Sequence, residues 1–224
     1  MAKETIVSPI MIVRYAYLIT PSTTYKENGE YSVKCAMEDN TPEAEAFKAV
    51  FNALLADKKA AATSQLKPAQ KQKLVDVTPW SREEDMETGE ENGYIAFNFA
   101  MPAKVIRKSD GKVFEFNVDL FDSAGNPISM EDRKGMMIGA GSLIQVSFTA
   151  DRPYCMESKG LDNKPFYKYG ISTDLKAVMI HKLSTSSASA SSYGFAPSGD
   201  GFVREKPENP FEGKGGEVPA NGDF

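Results

Sequence analysis

A chain of 224 residues with 41% hydrophobic content and a formal net charge of −5 can bury one sizeable core with appendages, or at most two small domains. Nowhere do 18 apolar residues run consecutively, and the opening MAKETIVSPIMIV lacks a basic stretch followed by a long apolar one, so a soluble chain without a targeting segment or membrane span is expected. The acidic balance excludes the strongly basic signature of many duplex binders, but it is uneven: residues 103–183 hold 12 Lys and Arg against 10 Asp and Glu, while the segments on either side are net negative.

The first strand signal runs from Ile6 to Ile19, rich in β-branched and aromatic residues, with Pro9 marking an edge or a strand start and Pro21 a stop. Strict alternation through IMIVRYAYLI places Ile10, Ile12, Arg14, Ala16 and Leu18 on one face and Met11, Val13, Tyr15, Tyr17 and Ile19 on the other. After the turn residues Asn28 and Gly29 a second strand covers Glu30 to Met37. Thr41 and Pro42 then supply a hydroxyl cap and a residue whose missing N–H costs nothing at the first helical position. Phe47, Val50, Phe51, Leu54 and Leu55 recur at helical spacing, so one amphipathic helix over about 42–62 is predicted, covering a sheet or the end of a barrel.

Residues 63–93 are polar and read as a surface excursion with room for a short helix, within which Trp80 either anchors a loop or stacks. Strand signals return at Tyr94 to Met101, then at Ala103 to Arg107 and Val113 to Phe121 around the Ser109-Asp110-Gly111 turn, which marks a hairpin. Further strands are predicted over Leu143 to Phe148, Pro165 to Gly170 and Leu175 to Leu183. Many short strands with one helix suit a small closed barrel better than an α/β sheet. From 184 onward the Ser-rich STSSASASS and a Gly/Pro/Glu-rich stretch have little apolar surface to bury, so a flexible, weakly acidic tail over 184–224 is expected, punctuated by phenylalanines.

Motifs of catalysis are missing from the sequence. The single histidine, His181, has no HxH or HExxH context; Cys35 and Cys155 form no CxxC pair; GAGS at 139–142 lacks the spacing of a phosphate loop and reads as a turn or bulge. Glu115, Asp119 and Asp122 would be the carboxylates of a metal-dependent nuclease, but they show no further fixed spacing. No catalytic residue, metal or cofactor is therefore assigned. The stronger pattern is aromatic residues interleaved with cations: Arg14 beside Tyr15 and Tyr17, Tyr31 near Lys34, Arg152 near Tyr154, and KPFYKYG at 164–170. Rings stack on unpaired bases while Lys and Arg meet phosphates, so this mixture can hold a single strand without reading its sequence. In the last segment Tyr167 and Tyr169 share one strand face and Phe166 and Lys168 the other, and Lys164, Tyr167, Lys168 and Tyr169 are expected near the site. A protein-interaction or structural adaptor domain using the same aromatic surface is the alternative reading.

GAGSLIQVSF and YGISTDLKAVMIHKL, following MPAKVIRKSDGKVFEFNVDLFD and completed by the Ser-rich linker and NGDF, resemble the single-stranded DNA-binding proteins of tailed bacteriophages. The resemblance implies a mainly β, OB-fold-like closed or partly open barrel over 1–183 with the helix inserted. It implies sequence-independent binding of single-stranded DNA in replication, recombination and repair, in the cytoplasm of an infected bacterial host. Candidate phosphate contacts are then Arg14, Lys34, Lys104, Arg107, Arg152, Lys164 and Lys168. Candidate stacking groups are Tyr15, Tyr154, Tyr167 and Tyr169. Asp223 and Phe224 in the tail would visit the cleft or phage replication proteins.

Overall fold

The structure is a computed structural model that describes residues 5–85, 87–160 and 163–184; the expected tail beyond Ser184, with Asp223 and Phe224, lies outside the described residues. The main strands are β2 (Met11–Ser22), β3 (Glu30–Glu38), β6 (Glu91–Pro102), β10 (Leu143–Lys159) and β11 (Pro165–Lys182). Antiparallel pairings join β10 to β2, β2 to β3 and β3 to β6; a parallel contact at Asp174 and Ala100 joins β6 to β11, and β11 returns antiparallel to β10. These pairings close a ring, as the mainly β, OB-like reading expects. Shorter strands decorate it: β1 (Ile6–Val7) on β10, β4 (Leu74–Asp76) and β9 (Asp119–Phe121) on β11, and β5 (Trp80–Glu84) on β6. Two more, β7 (Lys104–Ile106) and β8 (Val113–Glu115), form a separate two-stranded sheet.

Period-2 alternation fills the ring. Val33 and Cys35 on β3, Phe97 and Phe99 on β6, and Ile144, Val146 and Phe148 on β10 are buried, while the residues between them face outward. Burial raises the pKa of the Cys35 thiol, so the side chain behaves as a small apolar group. The helix α1 spans Pro42–Ala62, the predicted range, and Thr41 caps it by accepting from the Ala44 N–H at 3.1 Å. Ala44, Phe47, Phe51 and Leu55 are its buried face. Phe51 stacks on Phe148 with centroids 5.6 Å apart, and Phe47 meets Phe97 at 4.9 Å. The helix thus plugs one end of the ring, and each such ring removed from water is worth roughly 1.5–3 kcal/mol.

Several boundaries differ from the sequence reading. Pro21 does not end β2; it falls between the ladder pairs Tyr17–Ser32 and Ser22–Glu30, where an irregular register asks no N–H of it. The expected strands at 165–170 and 175–183 are one continuous β11, and β10 extends eleven residues past Phe148, bending at a register shift between Thr149 and Arg152. The polar 63–93 stretch contains the short helix allowed for it, α2 (Pro68–Lys71), and adds two strands that were not expected, β4 and β5. The consequential change is in β2: Val13 pairs with Cys35 but Tyr15 pairs with Lys34, so Arg14 is the extra residue of a bulge. One inserted residue exchanges the two faces of everything beyond it. Met11 and Val13 consequently point inward, whereas Tyr15 and Tyr17 point out.

Candidate nucleic-acid interface

The outward face of β2, β3 and β6 carries a row built from Tyr15, Lys34 and Asn98, which are register partners on neighbouring strands, and beside it Tyr17 and Ser32. Tyr15 and Tyr17 are 44% and 46% exposed, large fractions for tyrosines within a central strand, and their centroids lie 6.3 Å apart. With Tyr25, 95% exposed on the turn between β2 and β3, they line a depression of about 480 Å³ that also holds Lys26, Glu30 and Asn98. The Tyr15 hydroxyl contacts the Asn98 side-chain oxygen at 3.4 Å. Partial burial, then the neighbouring Tyr17, raise the Tyr15 pKa.

Asn98 also lines a second depression of about 270 Å³, with Lys34, Trp80, Ser172 and Thr173 among its walls. The Thr173 hydroxyl donates to the Asn98 carbonyl at 2.6 Å and ties β11 to β6 at that point. Trp80, the first residue of β5 rather than part of a loop, packs on Phe51 and Phe97 as an anchor would, and it also lines this depression. The two depressions share Asn98 and so adjoin on the face made by β2, β3, β6 and β11, with Tyr15, Tyr17 and Tyr25 in one, Trp80 in the other, and Lys34 paired with both Tyr15 and Asn98. Lys34 has no ion-pair partner among the described residues.

The remaining expected contacts are distributed elsewhere. Arg14 is held side-on by Glu83, its Nε and Nη2 donating at 3.0 and 2.7 Å, and lies 5.0 Å from the centre of the Tyr94 ring. Arg152 is gripped the same way by Asp174, whose hydrogen bond raises the guanidinium pKa further. Lys104 pairs with Glu115 at 2.8 Å and Arg107 with Asp110 at 3.5 Å, both on the β7–β8 hairpin. Four of the seven expected phosphate contacts are thus already matched by carboxylates, which the sequence could not reveal because each partner but Asp110 lies on a different strand. Lys164 is exposed at the β10–β11 turn, and Lys168 lies 5.6 Å from the Phe166 ring centre.

Tyr169 is a correction. It is 0% exposed, its hydroxyl donates to the Leu55 carbonyl of α1 at 2.6 Å, and burial raises its pKa; a ring sealed under a helix cannot stack on a base. Tyr167 shares its face, as expected, but that face turns toward the helices: its hydroxyl accepts from Gln70 at 2.6 Å and reaches Glu157 at 3.1 Å. The open face is the one carrying Phe166 and Lys168. Tyr154 lies on it, opposite Gly170. A Cβ on Gly170 would fall 2.4 Å from the Tyr154 hydroxyl oxygen and 2.5 Å from its Cζ, so the ring rests directly on the glycine backbone. Gly170→Ala is expected to cost about 1–3 kcal/mol in chemical denaturation, and the cost should vanish in a Tyr154→Ala background; equal costs in both backgrounds would show that the ring is not what the glycine accommodates.

Sequence reasoning noted Tyr17 beside Arg14 without assigning it to the site, and it missed Tyr25, Asn98 and Thr173. Tyr25 precedes Lys26, so the same juxtaposition of ring and cation would have found it. Asn98 carried no signal, because its place depends on the register of β3 against β6. Among the described residues no cluster of His, Cys, Asp and Glu is arranged to hold a metal ion, and no helix is long and apolar enough to cross a membrane.

No family model and no curated protein sequence matches the chain. Among solved structures, gp2.5, a single-stranded DNA-binding protein encoded by bacteriophage T7, aligns over 91% of this chain and 100% of its own with a TM-score of 0.61 at 20% identity. The single-stranded DNA-binding protein from bacteriophage Enc34 in complex with single-stranded DNA aligns over 80% of this chain and 87% of its own, with a TM-score of 0.49 at 12% identity. The chain has the fold of the T7 protein.

Proposed function

We propose that the chain is a non-catalytic binder of single-stranded DNA that holds the strand in the groove across β2, β3, β6 and β11. The observation that carries this is the set of three exposed tyrosines, Tyr15, Tyr17 and Tyr25, gathered in one depression beside Lys34, which has no ion-pair partner among the described residues. Unpaired bases present flat faces that such rings take regardless of identity, while a duplex hides those faces in its own stack. The name of the T7 protein of like fold supports the reading. A role in phage replication, recombination and repair follows from keeping displaced strands out of hairpins, and the tail with Asp223 and Phe224 is the proposed point of contact with replication proteins.

The test is a titration of full-length protein with matched single and double strands at several salt concentrations. Single strands should bind more tightly at every salt, with affinity falling as salt rises because phosphate contacts release counterions. Equal affinity for the two forms would sink the proposal, and metal-dependent turnover of a labelled strand would replace it with a nuclease.

A further inference from the structure

The β7–β8 hairpin carries charge that neither the core nor the groove uses. Its register pairs Lys104 with Glu115, Val105 with Phe114 and Ile106 with Val113, so Phe114 and Val105 share one face with the flanking Arg107 and Lys112. Both cations lie against the Phe114 ring, Arg107 at 4.8 Å and Lys112 at 5.4 Å from its centre. Residues 104–115 hold four cations against two acids in a chain whose net charge is −5. Both acids are engaged, Glu115 by Lys104 and Asp110 by Arg107. Lys108 and Lys112 have no carboxylate partner among the described residues.

The root of the hairpin adjoins the groove. Ala103 N–H donates to the Gly29 carbonyl at 2.9 Å, and Phe116 N–H to the Ala103 carbonyl at 2.8 Å. Gly29 closes the turn between β2 and β3, and Tyr25 and Lys26 of that connection, with Glu30 at the start of β3, line the tyrosine depression. A strand leaving the depression over this turn meets the hairpin next.

We infer that the hairpin is a second subsite for single-stranded DNA, taking the phosphates of nucleotides beyond those in the groove through Lys108 and Lys112. The inference rests on the proposed binding of single strands and adds where the longer strand runs. Continuity with the groove and the local excess of cations favour a nucleic-acid backbone over a protein partner for this surface. The core groove then serves short strands by itself, and the hairpin adds affinity only when the strand is long enough to reach it.

The experiment compares the full-length native chain with Lys108→Ala/Lys112→Ala and Lys108→Arg/Lys112→Arg, using oligothymidylates of about 4 and about 16 nucleotides, the span of site sizes known for OB folds. For the longer strand the alanine pair should lower affinity about tenfold and reduce the slope of log K against log salt by about 1.4, the loss of two phosphate contacts on a single strand. The short strand should bind as before, and the arginine pair should restore the long-strand slope. An unchanged long-strand affinity, or an equal loss at both lengths, would overturn the subsite. Failure of the native chain to bind either length would sink the groove reading and the subsite with it, whereas native binding with an indifferent alanine pair sinks the subsite alone.

Discussion

Replacing Tyr15 and Tyr17 together by alanine is expected to weaken single-strand binding by ~2–4 kcal/mol, since each stacked base is worth roughly 1–3 kcal/mol and neighbouring rings share part of that gain. In a fluorescence titration this reads as a loss of about 30- to 1,000-fold, at 1.4 kcal/mol per tenfold. Stability should change little, because both side chains are nearly half exposed and face away from the interior filled by Phe97, Phe99 and Phe148. Tyr15→Phe/Tyr17→Phe should keep most of the affinity, because the stacking face survives and only the long Tyr15 contact to Asn98 is lost. A double alanine variant that binds within threefold of the native chain would remove these rings from the mechanism. Lys34→Ala should act differently: a smaller loss of affinity together with a shallower salt dependence, as expected for a cation that meets phosphate rather than base.

The fold was legible where local pattern and tertiary demand agree. Thr41-Pro42 followed by apolar residues at helical spacing sets α1, and the interior needs the face that the periodicity supplies. The site was legible in kind but less so in place. Interleaved rings and cations drew attention to Tyr15 and Lys34, which the structure brings to adjacent strand positions. Yet alternation alone put Tyr15 on the same face as Met11 and Val13, and only the bulge at Arg14 turns it outward. A bulge adds one residue to one strand and is visible only against its partner. The segment 164–170 misled for the complementary reason. Its alternation was read properly, but which of its two faces meets α1 depends on packing, and the helix covers the tyrosines rather than Phe166 and Lys168.

The reassignment of Tyr169 leads to the largest expected effect on stability. Tyr169→Ala removes a fully buried ring from beneath α1 and deletes its hydrogen bond to the Leu55 carbonyl. Truncation of a buried aromatic ring costs about 3–5 kcal/mol because the surroundings only partly collapse into the space, which for a domain of this size lowers the melting temperature by on the order of 10 °C. Tyr169→Phe keeps the ring and loses one hydrogen bond, so the cost should be about 0.5–1.5 kcal/mol. At a temperature where the alanine variant is still folded, its affinity for single strands should match that of the native chain, the reverse of the pattern for Tyr15 and Tyr17. A Tyr169→Ala variant that melts like the native chain but binds single strands weakly would return this residue to the groove, and would mean that the contact between β11 and α1 opens when the strand binds.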